Sequence, residues 1–240
     1  MSNNACLALL LEGPMQSWGY TSRFTRRTTA LHPTKSGIVG LLAAAMGIDK
    51  LGSAESEEIR KLVTLRCTTL TLPKRRRGVE LPMLRLDDYH TIGGGYEKGA
   101  DSMKKPRAAS GAVLGTVLSE RHYLLDACFG VLLEGPEDQL RQIAERLQDP
   151  VWGVWLGRKC CVPASPILAG VEVDASAALG RLLARAGYDE TLSLEDFDHV
   201  VEGDSAEGVD SEWLNDSPVA FGAPIGERHG PRRIRHVRRK

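Results

Sequence analysis

The chain has 240 residues, 42% hydrophobic and 26% charged, enough to bury a core and too apolar for wholesale disorder. No apolar run reaches the roughly 18 residues of a membrane span, and residues 6–11 are too short and lack the basic lead-in of a signal peptide, so a cytoplasmic protein with no membrane contact is expected. The five cysteines are odd in number and show no C-x-x-C spacing, which argues for reduced thiols, no metal site and no cofactor.

The zero net charge hides a division. Residues 188–216 hold eleven acidic residues and no Lys or Arg, whereas residues 228–240 hold seven Lys or Arg and no acid. Residues 1–187 carry 24 basic against 19 acidic residues. A basic body with a basic tail suits a polyanion, and the acidic stretch suits a protein partner or solvent.

In chain order, residues 6–11 read as a strand ending at Glu12-Gly13-Pro14, followed by a Thr- and Arg-rich loop. Residues 36–48 read as a helix capped by Thr34 or Ser36, with Ile38, Leu41, Leu42, Ala45 and Met46 on the 3.6-residue period. Residues 51–62 suggest a second helix and residues 63–72 a strand closed by Pro73. Residues 74–121 lack a regular pattern and suggest a projecting hairpin or arm. Residues 122–133 read as a strand, 137–147 as an amphipathic helix, 151 onward as strand and turn, and 174–186 as a helix. A loop-rich acidic segment then precedes a final strand pair. The order matches an α+β, ferredoxin-like or RRM-like unit, with both helices on one sheet face.

The densest chemistry lies in residues 13–40, GPMQSWGYTSRFTRRTTALHPTKSGIVG. Aromatics alternate with Arg23, Arg26 and Arg27, and Thr34-Lys35-Ser36-Gly37 stands at a helix start. Aromatic faces stack unpaired bases, guanidinium groups pair with phosphates, and a helix N-terminus offers free amides to an anion. Trp18 is equally readable as core, and Lys35 as a solvated side chain. The stretch is not a P-loop, because P-T-K-S-G lacks the first glycine and the Gly-Lys pair. Arg85, Tyr89 and His90 sit at the base of the arm. Tyr and His invite an acid–base reading, as in metal-independent RNA cleavage, but strand neighbours point to opposite faces. Arg158 and Lys159 follow an aromatic-glycine turn and read as either backbone contacts to RNA or a polar turn. The tail from Arg232 reads as an RNA-contacting edge or a disordered basic end.

The blocks L-E-G-P-M-Q-S-W-G and P-T-K-S-G-I-V-G-L-L-A-A-A-M-G-I resemble the CasD family of type I-E CRISPR Cascade complexes. L-R-L-D-D-Y-H-T, Y-L-L-D-A-C-F and W-L-G-R-K-C-C-V-P agree in the family's order, over roughly residues 5–170. The resemblance implies a ferredoxin-like (RAMP) domain over residues 1–187, with a long β-hairpin thumb at about 74–121 and a small β-rich C-terminal element over 188–240. It implies a non-catalytic, antiviral-defence subunit that grips the 5′ handle of the CRISPR RNA. Its neighbours would be a backbone subunit and the large PAM-reading subunit, with target double-stranded DNA reached through the complex. Gln16, Trp18, Lys35, Ser36, Gly37, Arg158 and Lys159 would border the handle, and Lys104, Lys105 and Arg107 would lie in the thumb. One related branch cleaves precursor RNA with Tyr, Lys and His side chains, so a metal-independent endoribonuclease is the alternative.

Overall fold

The computed structural model describes residues 3–19, 25–92, 116–203 and 211–240. Strand β1 (Asn4–Glu12) and the short strands β2 (Met15–Gln16) and β3 (Arg26–Arg27) precede helices α1 (Lys35–Met46) and α2 (Glu55–Val63). Strands β4 (Arg66–Thr71), β5 (Arg75–Arg76), β6 (Val79–Glu80), β7 (Leu84–Ile92), β8 (Val117–Leu125) and β9 (Cys128–Pro136) lead into α3 (Glu137–Gln148). Strand β10 (Leu168–Glu172), helix α4 (Ala175–Ala186) and strands β11 (His199–Glu202), β12 (Ser211–Pro218) and β13 (His229–Val237) complete the order.

Seven strands form the main sheet in the order β10-β1-β9-β4-β11-β13-β12, and every pairing in it is antiparallel. The unbroken apolar run of β1 follows from burial on both faces of this sheet. Leu7, Leu9 and Leu11 pack in one core with Ile38 and Leu42 of α1 and Leu140 and Ile143 of α3. Cys6, Ala8 and Leu10 face the other way and meet Leu179, Leu182 and Leu183 of α4 and Phe197. Each fully buried Leu contributes about 1.5–3 kcal/mol. Helix α1 is apolar nearly all round because it is covered all round: α2, α3 and β12 pack against it.

The expected single strand over residues 122–133 is two strands. Asp126 adopts φ 51, and its N–H donates to the Pro14 carbonyl at 3.1 Å. That left-handed residue turns the chain out of a second, four-stranded sheet (β2-β8-β3, with β7 on β8) and into β9 of the main sheet. β7 and β8 pair antiparallel from Leu84 opposite Leu125 to Ile92 opposite Val117. Residues 151–167 form a loop, with β10 beginning only at Leu168. The strand pair expected at the C-terminus is β12 with β13, joined to the main sheet through β11. Among the described residues no helix is long and apolar enough to cross a membrane.

Candidate nucleic-acid interface

The start of α1 is held from several directions at once. Thr34 caps it, its Oγ1 accepting from the Gly37 N–H at 3.3 Å. The Lys35 N–H donates to Asp216 Oδ2 at 2.9 Å. The Lys35 ammonium turns inward, donating to the Leu65 carbonyl at 3.1 Å and to Glu202 Oε1 at 2.6 Å. Arg232 closes the group, meeting Asp216 at 2.6 and 2.9 Å and Glu202 at 3.2 Å. Two cations and two carboxylates therefore form a mostly buried, charge-balanced cluster joining α1 to β11, β12 and β13. Burial pushes the Asp216 carboxyl up, but the hydrogen bonds and charge of Arg232 outweigh it and hold it below its usual range. Burial lowers the Arg232 pKa, and the Asp216 carboxylate more than restores it. Beside them His32 is pulled below its ordinary value by burial, and the nearby His236 and Arg232 add to this against the Pro33 carbonyl.

Four residues expected to contact RNA are buried by this packing. Lys35, 5% exposed, has its charge matched inside the protein and cannot reach a phosphate. Thr34, 1% exposed, spends its hydroxyl on the helix cap. Gln16 is buried, with Nε2 on the Leu11 and Ala127 carbonyls and Oε1 accepting from Trp18 Nε1. Trp18 is fully buried too. Its ring lies under Gly37, where a Cβ would come within 2.7 Å of Trp18 Cε3, so that glycine makes room for the indole.

Above this floor lies a cleft of about 610 Å³ lined by Ser17, Trp18, Gly19, Thr34, Ser36, Gly37 and Gly157 and by Arg27, Arg158, Arg228, Phe221 and His229. Among the described residues no acidic residue lines it. Arg27 is presented by β3, which pairs in parallel with β8. Arg158 donates to the Arg27 carbonyl at 2.8 Å and the His122 carbonyl at 3.2 Å, with its guanidinium 4.8 Å from the Tyr123 ring centroid. Gly157 makes that approach possible: φ is +92° and a Cβ would fall 1.8 Å from the Ser17 carbonyl oxygen. Among the described residues Arg27, Arg158 and Arg228 have no carboxylate within ion-pair distance, whereas Arg26 pairs with Glu120, Arg85 with Asp87 and Arg141 with Glu137. The His229 pKa is lowered chiefly by desolvation of its ring, with Arg228 adding to the effect and Asp216 opposing it.

The structure thus brings together Trp18, Arg27, Thr34, Ser36, Gly37 and Arg158 of the expected residues at one cleft. Lys159 is exposed on the adjoining turn. Arg26, Arg85, Tyr89 and His90 lie instead on the β3–β8–β7 sheet, where His90 Nδ1 stands 3.2 Å from Asp88 and Tyr89 is exposed opposite Glu120. Arg23, Lys104, Lys105 and Arg107 fall outside the described residues. Phe221, Arg228 and His229 were not expected. Their one signal is an aromatic in a Gly- and Pro-rich turn just before the basic tail.

The tail is neither a loose end nor a bare basic edge. Arg232 is in the buried cluster, Arg238 pairs with Asp198, Arg239 with Glu80 and Lys240 with Glu195. Most of its charge is spent on acids within the fold. A second, mainly apolar cleft of about 700 Å³ runs between β4, β11 and β13 and the segment before β7, and its rim cations Lys74, Arg238 and Arg239 are paired with acids. The unpaired arginines make the smaller cleft the better polyanion site. Among the described residues no group of His, Cys, Asp and Glu is placed to hold a metal.

These features agree with comparisons to known proteins. The family model described as "CRISPR-associated protein (Cas_Cas5)" matches residues 6–238. The chain is 33% identical over 171 residues to the "CRISPR system Cascade subunit CasD" of Escherichia coli (strain K12), covering 68% of this chain and 70% of that protein. A chain of a "CRISPR RNA-guided surveillance complex" superposes with a TM-score of 0.69 at 30% identity, covering 97% of this chain and 89% of that one. A second structure, "Crystal structure of Cas protein", gives a TM-score of 0.59 at 26% identity over 98% of both chains. The chain belongs to the Cas5 family of CRISPR-associated proteins.

Proposed function

We propose that this chain is the CasD-type subunit of a Cascade surveillance complex and holds the 5′ handle of the CRISPR RNA in the arginine cleft without cleaving it. The observation that carries this reading is three arginines converging on one cleft with no acid among the described residues of its lining. Unpaired guanidinium groups around a concave surface attract a polyanion and pair with its phosphates. The similarity to a Cascade subunit and to a chain of an RNA-guided complex supports RNA as that polyanion.

The architecture supports the finer reading. Strands β10-β1-β9-β4 run in the spatial order of a split β-α-β pair, which we take as the ferredoxin-like unit, and the β7–β8 ladder as the base of the thumb. The thumb would meet a backbone subunit, and the large PAM-reading subunit would dock nearby, so that target DNA is reached through the complex in the cytoplasm. Non-catalysis is favoured by the dispersal of the residues a metal-free nuclease would use. Lys35 is in the buried cluster, and the ladder register puts Tyr89 and His90 on opposite faces.

The test is a salt titration of handle-RNA binding. For a single strand the slope of log affinity against log salt is about −0.7 per neutralised phosphate. Replacing Arg27, Arg158 and Arg228 together with Ala is expected to weaken binding and flatten that slope by about 2, while repeat RNA in EDTA stays intact with the native chain. Undiminished binding by the triple variant removes the cleft as the RNA site, and specific cleavage in EDTA removes the non-catalytic reading.

A further inference from the structure

We infer that the arginine cleft seats one unstacked RNA base against the ring of Phe221, so that the site takes a nucleotide and not only a run of phosphates. This deepens the RNA reading above and rests on it.

A phosphate track needs cations and no aromatic wall, yet this cleft has one. The partly exposed Phe221 ring lies on α1, its Cζ 3.6 Å from where a Cβ on Gly40 would sit. It stands edge-on to His229, with ring centroids 6.3 Å apart and planes at 68°. The remaining lining is mostly small, with Ser17, Gly19, Thr34, Ser36, Gly37 and Gly157 beside the buried Trp18. The volume of about 610 Å³ exceeds what a phosphate needs and falls in the range of small-molecule seats, roughly 300–1,000 Å³. Bases stack on aromatic faces where the strand is unpaired, and arginines on the rim would hold the flanking phosphates.

Phe221 is also fixed in advance. Glu55, at the start of α2, is buried, and its carboxylate accepts from the Phe221 N–H at 2.7 Å and the Gly222 N–H at 3.1 Å. A Cβ on Gly222 would lie 1.9 Å from the Lys50 carbonyl oxygen, so the turn passes too close for any other residue. On the other side Arg228 Nε donates to the Ala223 carbonyl at 2.7 Å. A ring held this way loses little freedom when a base docks. Glu55 is thus a positioning residue for Phe221, acting from 166 positions away in the chain.

The experiment is a cycle of substitutions on both partners, with the full-length chain and synthetic handle RNA. Abasic sites are introduced at each handle position in turn, and binding is measured for the native chain and for Phe221→Leu and Phe221→Trp. At one position the abasic RNA is expected to bind about 5- to 100-fold more weakly. Phe221→Leu should cost a similar factor on intact RNA and almost nothing further on that abasic RNA, and Phe221→Trp should restore binding. If every abasic RNA binds the native chain as intact RNA does, while the arginine substitutions still weaken binding, the base seat is wrong and the phosphate clamp stands. The abasic arm changes nothing in the protein, so a folding defect in a Phe221 variant cannot obscure it. If the native chain binds neither intact nor abasic handle RNA, the base seat and the RNA reading both fall. An acidic peptide competing as strongly as RNA would also overturn the seat.

Discussion

Lys35 shows how a residue's neighbours decide its role. In sequence it stands at a helix start beside Ser and Gly, as a phosphate-binding lysine would. In the fold it is buried against Glu202, and Arg232 shares that carboxylate at 3.2 Å. Removing one partner of a buried ion cluster strands the others, at a cost of about 3–5 kcal/mol. Lys35→Ala is therefore expected to lower the urea-unfolding free energy by about that amount, while the protein that remains folded binds RNA within twofold of the native chain. A loss of RNA affinity at unchanged stability would return Lys35 to the binding site. Nothing local could have revealed this, because its partners lie 167 and 181 positions away. Trp18 was readable either way, and the absence of a side chain at Gly37 decided for the core. Arg27 and Arg158 were legible because both stand in cationic clusters beside aromatics or glycine, and neither has a nearby acid in sequence.

Among the elements, those with strong periodicity were the most legible. Helix α3 was expected over residues 137–147 and runs Glu137–Gln148; the helix expected over residues 174–186 is α4 (Ala175–Ala186), with Asp174 as its cap. The break between β8 and β9 was invisible because a single left-handed Asp, in an otherwise apolar run, switches the chain between sheets. The turn carrying Arg158 was read only as strand and turn, although its shape is set by contact with residues 16–18. Ser17 donates its N–H to the Leu156 carbonyl at 3.1 Å, and Gly157 presses on the Ser17 carbonyl. Gly157→Ala is expected to push this turn off the β2 segment, lowering the thermal midpoint by several degrees and freeing Arg158 from the Arg27 carbonyl. RNA affinity should fall with it, and faster hydrogen exchange at residues 156–161 would locate the change. An Ala variant with native midpoint and native affinity would show that the close approach is dispensable.

Across the whole molecule, the charge division seen in the sequence has an internal use. The acidic stretch and the basic tail face each other across adjoining strands and neighbouring turns: Asp216 and Glu202 take Arg232, Asp198 takes Arg238, Glu195 takes Lys240 and Glu212 takes His236. Much of the net zero is therefore neutralised within the fold, and the cleft is left with arginines that have no such partner. The same arrangement sets an acid response. Partly buried His32 is depressed below 6.5, so unfolded chains take up its proton first and stability falls as pH drops through 6.5. Asp216 is depressed below 3.8, so its contribution is complete above that value and is lost as pH falls further. Urea midpoints measured from pH 8 to 3 are expected to decline in two stages. His32→Asn should shrink the upper stage, to which His229 also contributes, and Asp216→Asn should shrink the lower; a flat profile between pH 7 and 5 would contradict the His32 assignment.

The buried cluster also carries a timetable. On the ribosome α1 is made early, but the counter-charge of Lys35 arrives only with residue 202, and Asp216 and Arg232 come later still. Phe221, Arg228 and His229 are equally late. A nascent chain can pair β1 with β9 and bury much of its core while the cleft still lacks a wall and the start of α1 lacks its seal. The last strands to emerge thus complete both the cleft wall and the seal, so that a chain cut short before residue 232 would lack the Arg232 end of the cluster.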